Sequence, residues 1–178
     1  MPRTSLAGAG CACGFRFSHL YLVLAPFKFL CPYLPPWTFT IILAWIHGLA
    51  IAIVALILYK AGEEVREGYG LLSALTFLLY PGVWGALSFD FHPDNIGLMF
   101  MALAYYLVLI KDKPLTGYLV ALLALVSKES YAFSILGLTS YKVVASKGKD
   151  KVSLLAFIAF IILGYVATFI ILPKLGGS

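Results

Sequence analysis

The sequence predicts an all-α fold, a polytopic transmembrane helix bundle of about six spans that follow an interfacial, proline-broken segment. Three observations carry this expectation. Of the 178 residues, 62% are hydrophobic and only 12% are charged, where a soluble domain carries about 25% charged residues. Apolar runs recur along the chain with short polar gaps between them. Most of the 13 basic residues fall in those gaps, as membrane orientation requires. A water-soluble fold of this size could not cover so much apolar surface with so few charges. A soluble cytosolic enzyme, a disordered chain and a nucleic-acid-binding module are therefore excluded, and the lipid bilayer is the expected partner. The net charge of +5 belongs to the loops and is not read as a nucleic-acid footprint.

Residues 1–16 are small and Gly/Ala-rich and never develop the apolar core of a signal peptide before Arg16, so they read as a disordered or atypical start. The membrane domain is expected over 17–178. Its first part, 17–35, is apolar but is broken by Pro26, Pro32 and Pro35 and interrupted by Lys28. An interior proline costs a helix about 3 kcal/mol, which favours short helices lying at the interface over a span. Cys11, Cys13 and Cys31 are too few for a disulfide framework, and a C-x-C pair with no second cluster is not a metal motif.

Six spans are expected, over about 36–59, 69–88, 95–110, 114–127, 131–145 and 152–172. Pro36 suits a first helical turn and Trp37 an interfacial belt. The gap KAGEEVRE follows at 60–67, and Pro81-Gly82 predicts a kink in the second span. Residues 114–145 fit either one long helix or two short ones joined near Ser127-Lys128-Glu129-Ser130. The positive-inside rule favours two. A hairpin gathers Lys60, Arg66, Lys111, Lys113, Lys142, Lys147, Lys149 and Lys151 on one face, eight of the 13 basic residues.

The opposite face is then expected to collect His19, Lys28, Asp90, His92, Asp94, Lys128 and Glu129. Asp90-x-His92-x-Asp94 is the sharpest chemical signal, because alternate residues of an extended loop share a face. Two carboxylates and an imidazole there could serve as a general base, a divalent-cation site or a diphosphate contact, and their spacing leaves all three open. Pro93 and Asp94 equally suit the first turn of a helix, where the dipole favours a carboxylate. Lys128 and Glu129 are ionisable groups within an apolar stretch, candidates for function by default. Lys128 suits a phosphate as a point charge on a flexible stem; the competing reading is a turn capped by Ser127 and Ser130. His47 lies in mid-span with nothing acidic near it and reads as a packed histidine. Glu63, Glu64, Arg66 and Glu67 read as a solvated loop or helix end.

The ordered string FSHLYLVLAPFKFLCPYLPP, a long span, a basic gap, Phe89-Asp90-Phe91-His92-Pro93-Asp94, a further span and then Lys128-Glu129 resembles a known family. It is that of archaeal and bacterial polytopic membrane proteins labelled domain of unknown function 2079, grouped with GT-C-type glycosyltransferases. The likeness covers about residues 17–145. It implies a partial GT-C-like fold that takes sugars from polyprenyl-phosphate donors on the outer face of the cell membrane. By that analogy Asp90 and His92 are the catalytic candidates, beside the donor phosphate or a divalent cation, and His19, Asp94, Lys128 and Glu129 bind substrate. The acid that such enzymes carry in their first external loop has no counterpart, since no Asp or Glu precedes Glu63. The chain therefore reads as a piece of a longer protein, completed by further membrane helices from a neighbouring chain. The alternative is a non-catalytic membrane protein: a subunit, a transport component or an inactive relic.

Overall fold

Proline marks the start of three of the seven α-helices among the described residues, and a left-handed glycine precedes a fourth. A computed structural model of the protein describes residues 36–88, 94–128 and 130–166. The start at 1–16, the interfacial segment 17–35 with His19, the loop with Asp90 and His92, Glu129, and the tail beyond Val166 lie outside the described residues. In chain order the helices are α1 (Pro36–Val65), α2 (Tyr69–Leu79), α3 (Pro81–Ser88), α4 (Asp94–Tyr105), α5 (Pro114–Ser127), α6 (Tyr131–Ala145) and α7 (Lys151–Val166). A π-helical turn, Tyr106–Ile110, extends α4. No strand occurs among the described residues.

Helix α1 has 30 residues, about 45 Å at 1.5 Å per residue. Its stretch Ile41–Val65 has a mean hydropathy of 2.7 and is long and apolar enough to cross a membrane. Residues 60–65, expected as part of a polar gap, are helical, because Lys, Ala and Glu are good helix formers and nothing breaks the run before Gly68. One face of α1 buries Leu43, His47, Ala50, Ile51 and Val54, while Trp45, Leu49 and Leu56 are exposed on the other. An exposed face this apolar is what lipid, not water, tolerates.

The proline kink in the next apolar run is a 53° bend between Tyr69–Leu79 and Pro81–Leu87, and the two pass as a membrane segment only together. Tyr80 between them is extended at φ −66, ψ 123, the region to which a following proline confines its neighbour. The helices Asp94–Ile110, Pro114–Ser127 and Lys151–Leu163 are apolar but shorter. Residues 114–145 are two helices, of 14 and 15 residues, parted at 128–130.

The described residues divide into two compact units. The first holds those up to Met99 together with Val126–Lys128; the second holds Phe100–Leu125 and the described residues after Glu129. In the first, α2 packs along α1. Their crossing is so close that a Cβ on Gly62 would lie 2.8 Å from the Cα of Gly70, so only glycine fits there. In the second, Met101, Ala104, Val108, Tyr118, Ala121, Ala124, Ile135, Leu138 and Phe160 form one buried cluster. Small side chains at this crossing let helix backbones approach, as in membrane bundles generally.

Candidate functional site

Asp94 is the acid in the first turn of α4. The N-terminal amides of a helix carry partial positive charge, so a carboxylate is stabilised there by about 0.3–1 kcal/mol. Lys128 directly follows the last residue of α5, and the carbonyl end of a helix favours a cation for the complementary reason. The two charges meet: Lys128 Nζ donates to Asp94 Oδ2 at 2.6 Å, with the side chains 39% and 34% exposed. Half-exposed pairs of this kind contribute about 0.2–1 kcal/mol in water, and more where lipid excludes water.

Asn95, next to Asp94, is buried, and its Nδ2 finds no hydrogen-bond partner among the described residues. Ser127 is also buried. Ser130 occupies the position before α6, but its side chain makes no capping hydrogen bond. Ser130 therefore does not cap the break at 128–130. Lys128, at this break, pairs with the acid 34 residues earlier in the chain.

The described part of the expected site thus brings Asp94 and Lys128 into contact. Asp90, His92, His19 and Glu129 lie outside the described residues. Among the described residues no three His, Cys, Asp or Glu side chains gather as a metal site would require. His47 is buried on the packed face of α1. Glu63 is more than a solvated charge, because its carboxylate accepts from the backbone N–H groups of Gly68, at 3.3 Å, and Gly70, at 3.0 Å, which begin α2. Arg66 donates to Tyr69 Oη at 2.9 Å and lies 5.0 Å over that ring.

Sequence reasoning missed a second polar network, in the second unit. Asp150 caps α7 by accepting from the N–H groups of Val152, at 3.1 Å, and Ser153, at 3.2 Å, and from Ser153 Oγ at 2.6 Å. These hydrogen bonds, the Ser153 hydroxyl first, hold its carboxyl below the usual range. Ser153 Oγ is also 2.7 Å from Tyr118 Oη, which ties α7 to α5. Lys142 in the last turn of α6 donates to Asp112 Oδ1 at 2.6 Å. The D-x-x-S spacing of Asp150 and Ser153 is a legible cap signal; their link to Tyr118 leaves no local trace.

A family model described as "Predicted membrane protein (DUF2079)" matches residues 15–178. The chain belongs to this family. The match runs through to Ser178, past the stretch 17–145 that carried the resemblance. No curated protein and no solved structure matches the chain. For a member of a predicted membrane-protein family, the exposed apolar face of α1 suits contact with lipid.

Proposed function

We propose that this DUF2079 protein is a multi-pass protein of the cell membrane, with six spans, and that its Asp94–Lys128 end receives the phosphate of a polyprenyl-phosphate-linked sugar. The observation that supports this reading is the contact of Lys128 with Asp94 at 2.6 Å. An ammonium has three N–H donors, and Asp94 takes one. The remaining two, on a group oriented by its carboxylate, suit phosphate oxygens. A divalent cation at Asp94 would have to compete with that ammonium, so Asp94 acts as the anchor of Lys128 and not as a metal ligand. Asp90, His92, Glu129 and His19 would line the same hollow.

In the GT-C-like reaction the oxygen or nitrogen of an acceptor hydroxyl or amide attacks the anomeric carbon of the sugar. The bond from that carbon to the phosphate oxygen breaks, and its electron pair leaves with polyprenyl phosphate. Asp90 or His92 takes the acceptor proton, while Lys128 offsets the charge on the leaving phosphate. Further membrane helices from a neighbouring chain complete the enzyme. A second reading has its own support: both charges already sit where helix dipoles favour them, as they would in a purely structural clamp of a non-catalytic subunit.

Native mass spectrometry of the purified chain in detergent, titrated with a short-chain polyprenyl phosphate and with the matching polyprenol, separates the two. Binding predicts a clear preference for the phosphate and a loss of about tenfold in Lys128→Gln, the change expected when one charge-assisted contact worth about 1.4 kcal/mol is removed. Equal retention of phosphate and alcohol by the unmodified chain would leave only the clamp.

A further inference from the structure

In the second unit, lysines crowd one end. Lys142 at the close of α6 reaches Asp112 just before α5, and Tyr118 near the start of α5 reaches Ser153 in the first turn of α7. These contacts hold the 111–113 turn and the 146–150 loop at the same end. Six lysines gather there, Lys111, Lys113, Lys142, Lys147, Lys149 and Lys151, against two acids, Asp112 and Asp150.

Both acids are committed within the fold. Asp112 accepts from Lys142, and Asp150 accepts from the amides and the hydroxyl that begin α7. Lys113, Lys147 and Lys149 are exposed. Lys147 and Gly148, at φ 51 and 72, turn the chain sharply back toward α7, so the loop lysines are carried on a short, tight connection. Immediately along the helices from this charge, Leu115, Leu119, Val144 and Leu155 are exposed as well.

A phosphate-rich polymer or an acidic soluble protein would answer the lysines and leave those apolar side chains unmatched. An amphiphile answers both. We propose that this end binds the headgroup phosphates of anionic phospholipids, with the lysines on the phosphates and Leu115, Leu119, Val144 and Leu155 against the first methylenes of the acyl chains. A lysine beside an anionic leaflet contributes about 1 kcal/mol, screened within a Debye length. The inference uses different residues from the Asp94–Lys128 site and does not depend on that reading.

The test is native mass spectrometry of the intact chain released from detergent micelles doped with equal mole fractions of dioleoylphosphatidylglycerol and dioleoylphosphatidylcholine. The expected result is preferential retention of phosphatidylglycerol, weakened by added salt. In the triple variant Lys113→Gln/Lys147→Gln/Lys149→Gln that preference should fall by at least about tenfold. Circular dichroism establishes that the triple variant keeps its helices. Equal retention of the two lipids by the unmodified chain, or an unchanged preference in a helical triple variant, overturns the proposal.

Discussion

Asp94–Lys128 in the first unit and Asp112–Lys142 in the second are ion pairs of the same chemistry and the same length, 2.6 Å. Each sets an acid near the start of one helix against a lysine near the end of another. They differ in what surrounds the acid. The Asp94 side chain is 34% exposed and Asp112 is 80% exposed. Asp94 lies within a helical turn beside buried Asn95, whereas Asp112 projects from a left-handed turn at φ 51 between two lysines. The distance between two charges therefore does not fix what their pairing contributes. The cost of breaking a pair is set by how much water the abandoned partner can recover.

The largest contrast should come from removing each lysine while keeping its apolar stem. Lys128→Met takes the ammonium from a carboxylate only 34% exposed and is expected to cost about 1–3 kcal/mol. Lys142→Met leaves Asp112 to water and the neighbouring lysines, and should cost no more than about 0.5 kcal/mol. Unfolding of the detergent-solubilised variants, followed by circular dichroism through an SDS titration, measures both. Equal losses would mean that exposure is not what separates the two pairs.

Asp150 sharpens the comparison as an acid satisfied by backbone amides and a hydroxyl instead of a lysine. Asp150→Ala should cost about 0.5–2 kcal/mol, the usual weight of a helix cap. The pH dependence has a definite sign. The folded-state pKa of Asp150 is lowered, so near pH 4 the unfolded chain binds the proton more readily than the folded one. Its contribution is fully present above the ordinary carboxylate pKa of about 3.9 and fades as pH falls through the lower, folded value. The midpoint difference between the unmodified chain and Asp150→Ala should therefore shrink as pH drops from 6 toward 3; a difference that grew on acidification would contradict the capping geometry.

The smallest expected effect is that of salt. Raising ionic strength from about 0.1 to 1 M shortens the Debye length from about 10 to about 3 Å. A double-mutant cycle on Asp112 and Lys142 should then lose most of a coupling that is already below about 0.5 kcal/mol, while the cycle on Asp94 and Lys128 keeps most of a larger one. Unfolding midpoints of the four variants in each cycle, at the two salt concentrations, provide the measurement.

Much of the helical framework is legible because its signals are local. Pro36, Pro81 and Pro114 open helices, and Tyr80 is extended because Pro81 follows it. The run 60–65 misled as a polar gap: its charges are read by solvent at a helix end, while the backbone responds to the helix propensity of Lys, Ala and Glu. Asp94 and Lys128 each stand out in the sequence as charges in apolar surroundings. Glu63 does not stand out, since accepting from Gly68 and Gly70 is a consequence of where α2 begins relative to α1.

Composition and proline placement by themselves determined an all-helical, lipid-compatible protein and many of its helix starts, because burial of backbone polar groups and proline sterics act within a few residues. Only the tertiary structure decided that Lys128 meets Asp94, that Lys142 meets Asp112 and that Tyr118 meets Ser153. Each pair is separated by 30 to 35 residues. Whether such side chains touch depends on helix lengths, crossing angles and the depth at which each helix sits against its neighbour. Packing of small side chains such as Ala104, Ala121 and Ala124 sets those quantities collectively, and no local stretch of the chain encodes them.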